Sequence, residues 1–534
     1  MTKLRGSLVG ALIALLAVSL MPASYADSAV RPMLVRVHTH APAMVAHLMA
    51  NFDETHNHSS DEVELLLWPG DLAKLESLDV DYEVVTDDLF ADDMKEGTAA
   101  ESVLPLPGPD RKDYRRLGDY NQEMKKLAKQ NPGLVKLFKM PRKSLEGRAI
   151  YGVEIAKNVK NANDGRPIFY MDGVHHAREW PASEYTMLYI HHLVEKFGKD
   201  RQVTSLLKKA RFIGVPIVNV DGFVYSRESV LSYNQELRNR TSLTGAVNGF
   251  EGYWRKNRRS LTGMTAPEAK SNPDAYGVDP NRNYSYLWGD SDGGSSGVPL
   301  DATYRGDAPF SEPESANVRD LILRRNVTAV LTNHTYQASV LRAGGGKAPD
   351  DGLLRRLGDR MAKTLRYTNA PTVGYPTTGT TDDWAYAAIG SIGYTIEHGR
   401  LGFHPNYGDE VGAFWKEHMK AFSMLFAAAA DADYHSVIRG RVAGKPAKLK
   451  ITKTFKTPLS PGNPTGKASV TEKINWSSKT KRNGSFAWHV TPSSRPYEKK
   501  AESYRLTITS GKQSKTMRVK VDRNRVKNLG TIRL

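Results

Sequence analysis

The spacing of apolar residues changes along the chain and divides it into segments of different texture. Residues 27 to 95 alternate strand-like runs (Met33 to Val37, Val63 to Trp68, Tyr82 to Val85) with stretches of helical rhythm (Ala43 to Met49, Asp71 to Leu78). This predicts a small α+β unit. From Asp92 to Asp110 the chain is rich in Ala, Glu, Gly and Pro, the texture of a protease-accessible linker. From Tyr114 to about Tyr434, buried-strand candidates (Ile150 to Ile155, Pro167 to Met171, Arg211 to Val218, Ala329 to Leu331, Ile392 to Ile396) interleave with amphipathic helices. The expected fold class is α/β, a mixed central sheet with helices on both faces. After His435, short alternating runs (Leu449 to Ile451, Ser485 to His489, Tyr504 to Ile508, Thr516 to Val521) predict an all-β unit, most simply a sandwich.

Length agrees, since 534 residues exceed one ordinary core. Lys3 and Arg5 precede an apolar run from Leu8 to Met21 and the small-residue step Ser24-Tyr25-Ala26. Residues 1–26 therefore read as a signal peptide cleaved near Ala26, and the protein as secreted. No later apolar run is long enough to span a bilayer, and there is no cysteine. The exported chain must be stable without disulfides, which leans towards a bacterial source.

Charge divides unevenly. Residues 27–111 hold 18 acidic against 5 basic residues, and residues 436–534 hold 24 basic against 4 acidic, so the last segment more than accounts for the net +17. Its surface is either solubilising or attractive to an acidic polymer such as a cell-wall polyanion. Export and the lack of a recognisable nucleic-acid module argue against nucleic acid. His38, His40, His56 and His58 read as surface histidines.

The chemistry concentrates where strand hands over to helix, at Gly173-Val174-His175-His176-Ala177-Arg178-Glu179-Trp180. An imidazole and a carboxylate three positions apart can meet one metal ion from a single turn, and they demand a third ligand elsewhere. His334, in Asn333-His334-Thr335-Tyr336, again ends an apolar strand and supplies the candidate. Open α/β sheets carry their sites at such edges. Tyr253-Trp254-Arg255-Lys256-Asn257-Arg258 and Val278-Asp279-Pro280-Asn281-Arg282-Asn283-Tyr284 gather guanidinium and amide donors suited to an anionic substrate. Glu397 closes the strand Tyr394-Thr395-Ile396 with a carboxylate able to take a proton from an activated water.

Together these motifs resemble the zinc metallocarboxypeptidases of the carboxypeptidase A/B type, the funnelin family, over about Tyr114 to Tyr434. Five motifs stand in the family's order: His-His-Ala-Arg-Glu-Trp, Trp-Arg-Lys-Asn, Asp-Pro-Asn-Arg-Asn, His-Thr-Tyr, and Tyr375 with Asp383-Trp384 and Glu397. The resemblance implies one zinc ion held by His176, Glu179 and His334, with His175 as structural support. It implies Glu397 as general base and then acid, and Arg255 as the group that polarises the scissile carbonyl. It further implies Asn281 and Arg282 as the clamp on the substrate's terminal carboxylate, Tyr375 as the mobile tyrosine that closes over it, and Arg178 on the substrate surface. The expected organisation is a signal peptide (1–26), an acidic inhibitory prosegment and linker (27–111), the catalytic domain (112–434) and a basic β-sandwich accessory domain (435–534). Arg111-Lys112 and Arg115-Arg116 offer cutting points for release of the prosegment, and the sandwich is expected to be dispensable for hydrolysis. Relative to shorter family members, extra residues lie between Phe223 and Trp254 and between Arg258 and Asp279.

The substrates implied are the C-termini of peptides and proteins. By resemblance, the residue two before Trp384, Asp382, lies in the pocket for the departing side chain, where an acid favours Lys and Arg. Arg342 stands against this, because pairing with Asp382 would neutralise it and leave a mixed preference. Two rivals remain: a peptidase for acidic or cell-wall peptides with Arg342 as a cationic pocket, and a non-enzymatic binding protein. The second would have lost Glu397, Arg255 or a zinc ligand, and all are present.

Overall fold

The computed structural model describes residues 32–59, 61–68, 70–87, 89, 111–228, 252–260, 277–290, 294–372, 376–444, 446–492 and 502–534. The signal peptide, the linker and Tyr375 lie outside the described residues.

The N-terminal unit is built by alternation. In β1 (Met33–His38), Val35 and Val37 turn inward and meet Leu65 and Leu67 of β3 (Glu62–Leu67). Helices α1 (Pro42–Asn51) and α2 (Asp71–Glu76) close this small core with Leu48, Met49 and Leu75. Together with β2 (Asp53–His58) and β4 (Asp81–Thr86), the strands form an antiparallel sheet in the order β2-β3-β1-β4. β2 was not anticipated, because Asp53-Glu54-Thr55-His56-Asn57-His58 contains no apolar residue. Its first three residues are nevertheless buried.

The central unit begins with α3 (Leu117–Gln130), β5 (Val135–Lys139), β6 (Tyr151–Ile155) and β7 (Ile168–Gly173). Next come α4 (Trp180–Lys196), α5 (Arg201–Lys209) and β8 (Arg211–Val215), then α6 (Pro313–Arg324), β9 (Val327–Thr335) and β10 (Ser339–Arg342). α7 (Asp351–Leu365), β11 (Thr368–Ala370), α8 (Thr381–Ile389), β12 (Ile392–His398) and α9 (Ala413–Ala430) complete it. The sheet order is β11-β10-β12-β9-β7-β8-β6-β5, with β12, β9, β7 and β8 parallel. These four middle strands are wholly buried, so they lack the alternation of a half-exposed strand. α4 and α9 pack on β7 and β9, while α8 lies on β12 and β9. The strand expected to reach Val218 stops at Val215, before Pro216, which has no N–H to give a ladder.

The chain enters this unit through a buried guanidinium. Arg115 donates to Glu184 of α4 and, from Nε, to Glu123 of α3 at 2.9 Å, with its side chain wholly covered. Arg111 is also buried, near Glu123. Arg115 is therefore no protease target in the folded chain, and Arg111 packs with the central unit.

The C-terminal unit has two sheets, as a sandwich requires. One pairs β13 (Ser436–Val442) with β16 (Ser485–Val490) and β19 (Val526–Ile532). The other runs in the order β15-β14-β17-β18, where β14 is Lys448–Pro458, β15 Ser469–Lys479, β17 Glu502–Ser510 and β18 Gln513–Val521. Inward residues such as Ile451, Ile474, Trp476 and Leu506 alternate with outward Lys, Arg and Thr. This unit is not a detached bead, because Ile438, Trp476 and Trp488 belong to the same continuous apolar cluster as Phe169 and Trp384. Polar contacts cross the boundary too, among them Arg523 Nε to Asp350 Oδ2 at 2.6 Å and Leu287 N to Pro458 O at 3.0 Å.

Candidate metal centre and substrate pocket

β7 ends at Gly173, where a Cβ would meet Ala182 O at 2.7 Å, and Val174 follows with φ at +54°. Only glycine tolerates that approach. The turn delivers His175 and His176, and α4 opens at Trp180 with Pro181 in its first turn. β9 runs parallel to β7, with Asn333 opposite Gly173, so His334 arrives at the same sheet edge. β12 runs parallel to β9 with Glu397 opposite His334. Three strands thus bring the separated motifs to one place.

There, His176 Nδ1 lies 2.6 Å from Glu179 Oε1, and His334 Nδ1 lies 2.9 Å from Glu179 Oε2. The two Nδ1 atoms are 3.2 Å apart. All three side chains are buried, and their ligand atoms fall within 4.8 Å of one another. Two imidazole nitrogens held face to face beside a carboxylate are poorly matched to each other but well matched to a shared cation. Two nitrogens and one carboxylate form a standard donor set for hydrolytic zinc, so the residues fit the metal expected. Burial, then the charge of Arg255, lowers the His176 pKa to about 4, which keeps the imidazole neutral as a ligand must be.

Behind His176 stands a residue to which the sequence reading gave no role. Asp279 Oδ1 is 3.1 Å from His176 Nε2, and Oδ2 accepts from Arg255 Nε at 3.2 Å and Nη2 at 2.9 Å. Despite complete burial, which acts in the opposite sense, Arg255 and His176 hold its carboxyl well below the usual carboxylate range. Its position immediately before Pro280 was the available signal, because Asp is a preferred cap where Pro opens a helical turn. Asp279 Oδ1 does accept from Asn281 N, at 2.8 Å.

The His175 ring stacks beside that of His334 at 5.7 Å, but both its nitrogens are engaged outside the ligand cluster. Its Nε2 meets Tyr284 OH at 2.9 Å and Thr381 Oγ1 at 3.0 Å, and its Nδ1 meets Thr332 Oγ1 at 3.2 Å. Asn281 Oδ1 accepts from both N and Oγ1 of Thr381, each at 3.0 Å, which ties the Asn281-Arg282 turn to the start of α8. Asn281, Arg282, His176, Arg342, Asp382 and Glu397 share the wall of one small cavity. Burial raises the Asp382 carboxyl, with hydrogen bonds from Thr380 and Thr395 acting against it, and burial beside Asp382 raises Asp383. Arg342 donates from Nε to Asp351 Oδ1 at 2.7 Å, so the guanidinium has an acid of its own.

Arg178 is buried and covered by the N-terminal unit. Its Nη1 and Nη2 donate to the two oxygens of Asp53, at 2.5 and 2.8 Å, and Trp68 Nε1 donates to the same carboxylate at 3.0 Å. Tyr336 OH donates to Glu64 at 2.6 Å, and Leu66 and Trp68 pack with Tyr253, Tyr336 and Phe403. Asp53 was missed by sequence reasoning, because nothing in a polar run marks one carboxylate as buried.

Residues 120–421 match the model of the zinc carboxypeptidase family, Peptidase_M14. Human carboxypeptidase B is 30% identical over 319 residues, 57% of this chain and 68% of that protein. Zinc carboxypeptidase A 1 of Anopheles gambiae is 28% identical over 366 residues, 65% of this chain and 75% of that protein. Among solved structures, carboxypeptidase A from Helicoverpa armigera superposes with a TM-score of 0.59 at 23% identity, covering 75% of this chain and 97% of its own. Thrombin activatable fibrinolysis inhibitor gives the same TM-score at 19% identity, covering 75% and 99%. A family match over more than half of the chain, on a fold with these neighbours and around a buried His2Glu cluster, means that the chain belongs to the zinc carboxypeptidases.

Proposed function

We propose that the protein is a secreted carboxypeptidase that removes C-terminal residues, with Lys and Arg preferred, and is made with an inhibitory N-terminal segment. The observation that carries this reading is the convergence of His176, Glu179, His334 and Glu397 on one sheet edge beside Asn281 and Arg282. Zinc bound by the first three would supply a Lewis acid that activates water and polarises the scissile carbonyl. Glu397 accepts the proton of the attacking water and returns it to the departing amine. Arg255, braced by Asp279, donates to the carbonyl oxygen as negative charge develops there. Asn281 and Arg282 hold the terminal carboxylate, an anion that an internal peptide bond lacks. Export through residues 1–26 and a domain division near 111 and 435 complete the reading.

Asp382, with the half-buried Asp383 beside it, favours a cationic side chain, since a buried carboxylate gains most from a partner that restores its charge. The engagement of Arg342 by Asp351 supports this preference over the acidic-peptide alternative. The N-terminal unit acts as an inhibitor because Asp53 occupies Arg178 with a bidentate ion pair where substrate would bind. The exposed outer face of the β15-β14-β17-β18 sheet carries Lys448, Lys450, Lys473, Lys479, Arg505 and Arg518, and no carboxylate stands among its outward-facing described positions. That face suits an acidic cell-surface polymer.

Four outcomes test these statements. His334→Ala is expected to lose both zinc and activity, whereas Glu397→Gln keeps zinc by elemental analysis and loses about 10²–10⁴-fold in kcat. An active Glu397→Gln protein would remove the general base from the scheme. On peptides differing only in the last residue, Asp382→Asn should lower kcat/KM for Arg by about 100-fold with little change for Phe; equal losses on both would reject the pocket assignment. In the intact chain, Asp53→Ala should raise basal activity severalfold, and limited proteolysis should raise that of the wild type, whereas equal activity of intact and cut forms contradicts inhibition. Retention on an acidic cell-wall polymer should fall with added salt, because screening acts over about 8 Å at physiological ionic strength. It should also fall in a Lys448→Glu, Lys450→Glu, Arg518→Glu variant; retention indifferent to both would discard the polymer.

A further inference from the structure

The C-terminal sandwich reaches the substrate pocket through one buried carboxylate. Glu472 occupies an inward position of β15 and is 5% exposed. Its Oε1 accepts from the Trp384 indole N–H at 3.1 Å. Its Oε2 accepts from the Ser285 hydroxyl at 3.3 Å and from the hydroxyl of Thr457 on β14. Two of these three donors belong to the central unit, and both lie on segments that carry pocket groups.

Trp384 sits in the first turn of α8, two residues after Asp382, and Thr381 at the start of that helix grips Asn281. Ser285 follows Arg282 by three residues. The two segments clasp each other: Tyr284 N donates to Gly379 O at 2.9 Å, and the Tyr284 ring lies 5.6 Å from that of Trp384. A Cβ on Gly379 would stand 2.3 Å from Arg282 O, so the approach is as close as backbone allows. On the far side the sandwich completes the clasp, with Leu287 N donating to Pro458 O at 3.0 Å and Ser460 N to Trp288 O at 3.1 Å. Glu472 is thus the point at which the helix bearing Asp382 and the turn bearing Asn281 and Arg282 are both fastened to the C-terminal unit.

We infer that Glu472 is a positioning residue for substrate recognition, through which the C-terminal sandwich sets the spacing between the carboxylate clamp and the side-chain pocket. The inference rests on the proposed roles of Asn281, Arg282 and Asp382. It reverses the expectation that the sandwich is dispensable for hydrolysis. Glu472 does not touch substrate; it acts through Trp384 and Ser285, and a displacement of about 1 Å in such groups is enough to weaken catalysis by up to about 100-fold.

The test uses the full chain, assayed before and after limited proteolysis, on a peptide ending in Arg. Glu472→Leu is expected to raise KM by about tenfold while kcat changes by less than about threefold and zinc content is kept. Glu472→Gln should remain close to wild type, since its carbonyl accepts from the indole and its amide donates to the two hydroxyls. Should Glu472→Leu fail to fold, Trp384→Phe removes the donor and keeps the ring, and a KM raised by about threefold is expected. An unchanged KM in the variant that folds, or equal losses in kcat and zinc, overturns the inference. Arg282→Ala separates the two levels. If it leaves KM unaltered, the clamp itself is misassigned; if it raises KM while Glu472→Leu does not, only the role of Glu472 falls.

Discussion

One buried carboxylate holds the working parts in a common frame. Asp279 meets the outer nitrogen of His176, takes two donors from Arg255 and accepts the backbone N–H of Asn281. With Nε2 engaged, His176 has only Nδ1 to offer a metal, and the imidazole cannot rotate. The same oxygen pair fixes the guanidinium expected to meet developing negative charge and caps the turn that bears the proposed anion clamp. An isolated charge at this depth would be strongly destabilising, so the carboxylate is tolerable only while its partners stay in place. The candidate metal ligands and the groups proposed for carbonyl polarisation and carboxylate recognition are therefore held by one carboxylate and are not structurally separable.

The sheet makes the arrangement reachable. Parallel register between β12 and β9 sets Glu397 beside His334, and that between β9 and β7 sets Asn333 beside Gly173. A one-residue slip would turn each of these side chains to the other face. Complete burial of the four middle strands, with α4, α8 and α9 packed on them, makes such a slip costly.

Much of this was legible in the residues because each motif ended a buried apolar run, and strand ends are where an α/β sheet exposes chemistry. β7, α4 and the sandwich strands with clear alternation could be drawn from periodicity alone. The polar strand β2 could not, since Asp53 pairs with Arg178, more than a hundred residues away in sequence. Likewise Arg342 could be placed near Asp382 by position, but its choice of Asp351 depends on how α7 docks on β10. Asp279 lay inside a motif already singled out, and its two-sided contact became visible only once Arg255 and His176 were brought together. Glu472 reads as one inward polar residue in an alternating strand, and only the packing of two units gives it partners.

The contacts between the N-terminal unit and the central unit carry a consequence for the proposed activation by cleavage. Asp53 on Arg178, Glu64 on Tyr336, and the apolar patch of Leu66 and Trp68 are all supplied by residues that precede the linker segment in the sequence. Severing the linker breaks a tether and none of these bonds. It turns an intramolecular occupant, present at high effective concentration, into an ordinary ligand obeying mass action. If the segment inhibits as proposed, the cut fragment departs by dilution, so activity would rise fastest where the protein is most dispersed, and a crowded pool of freshly cut molecules would restrain itself.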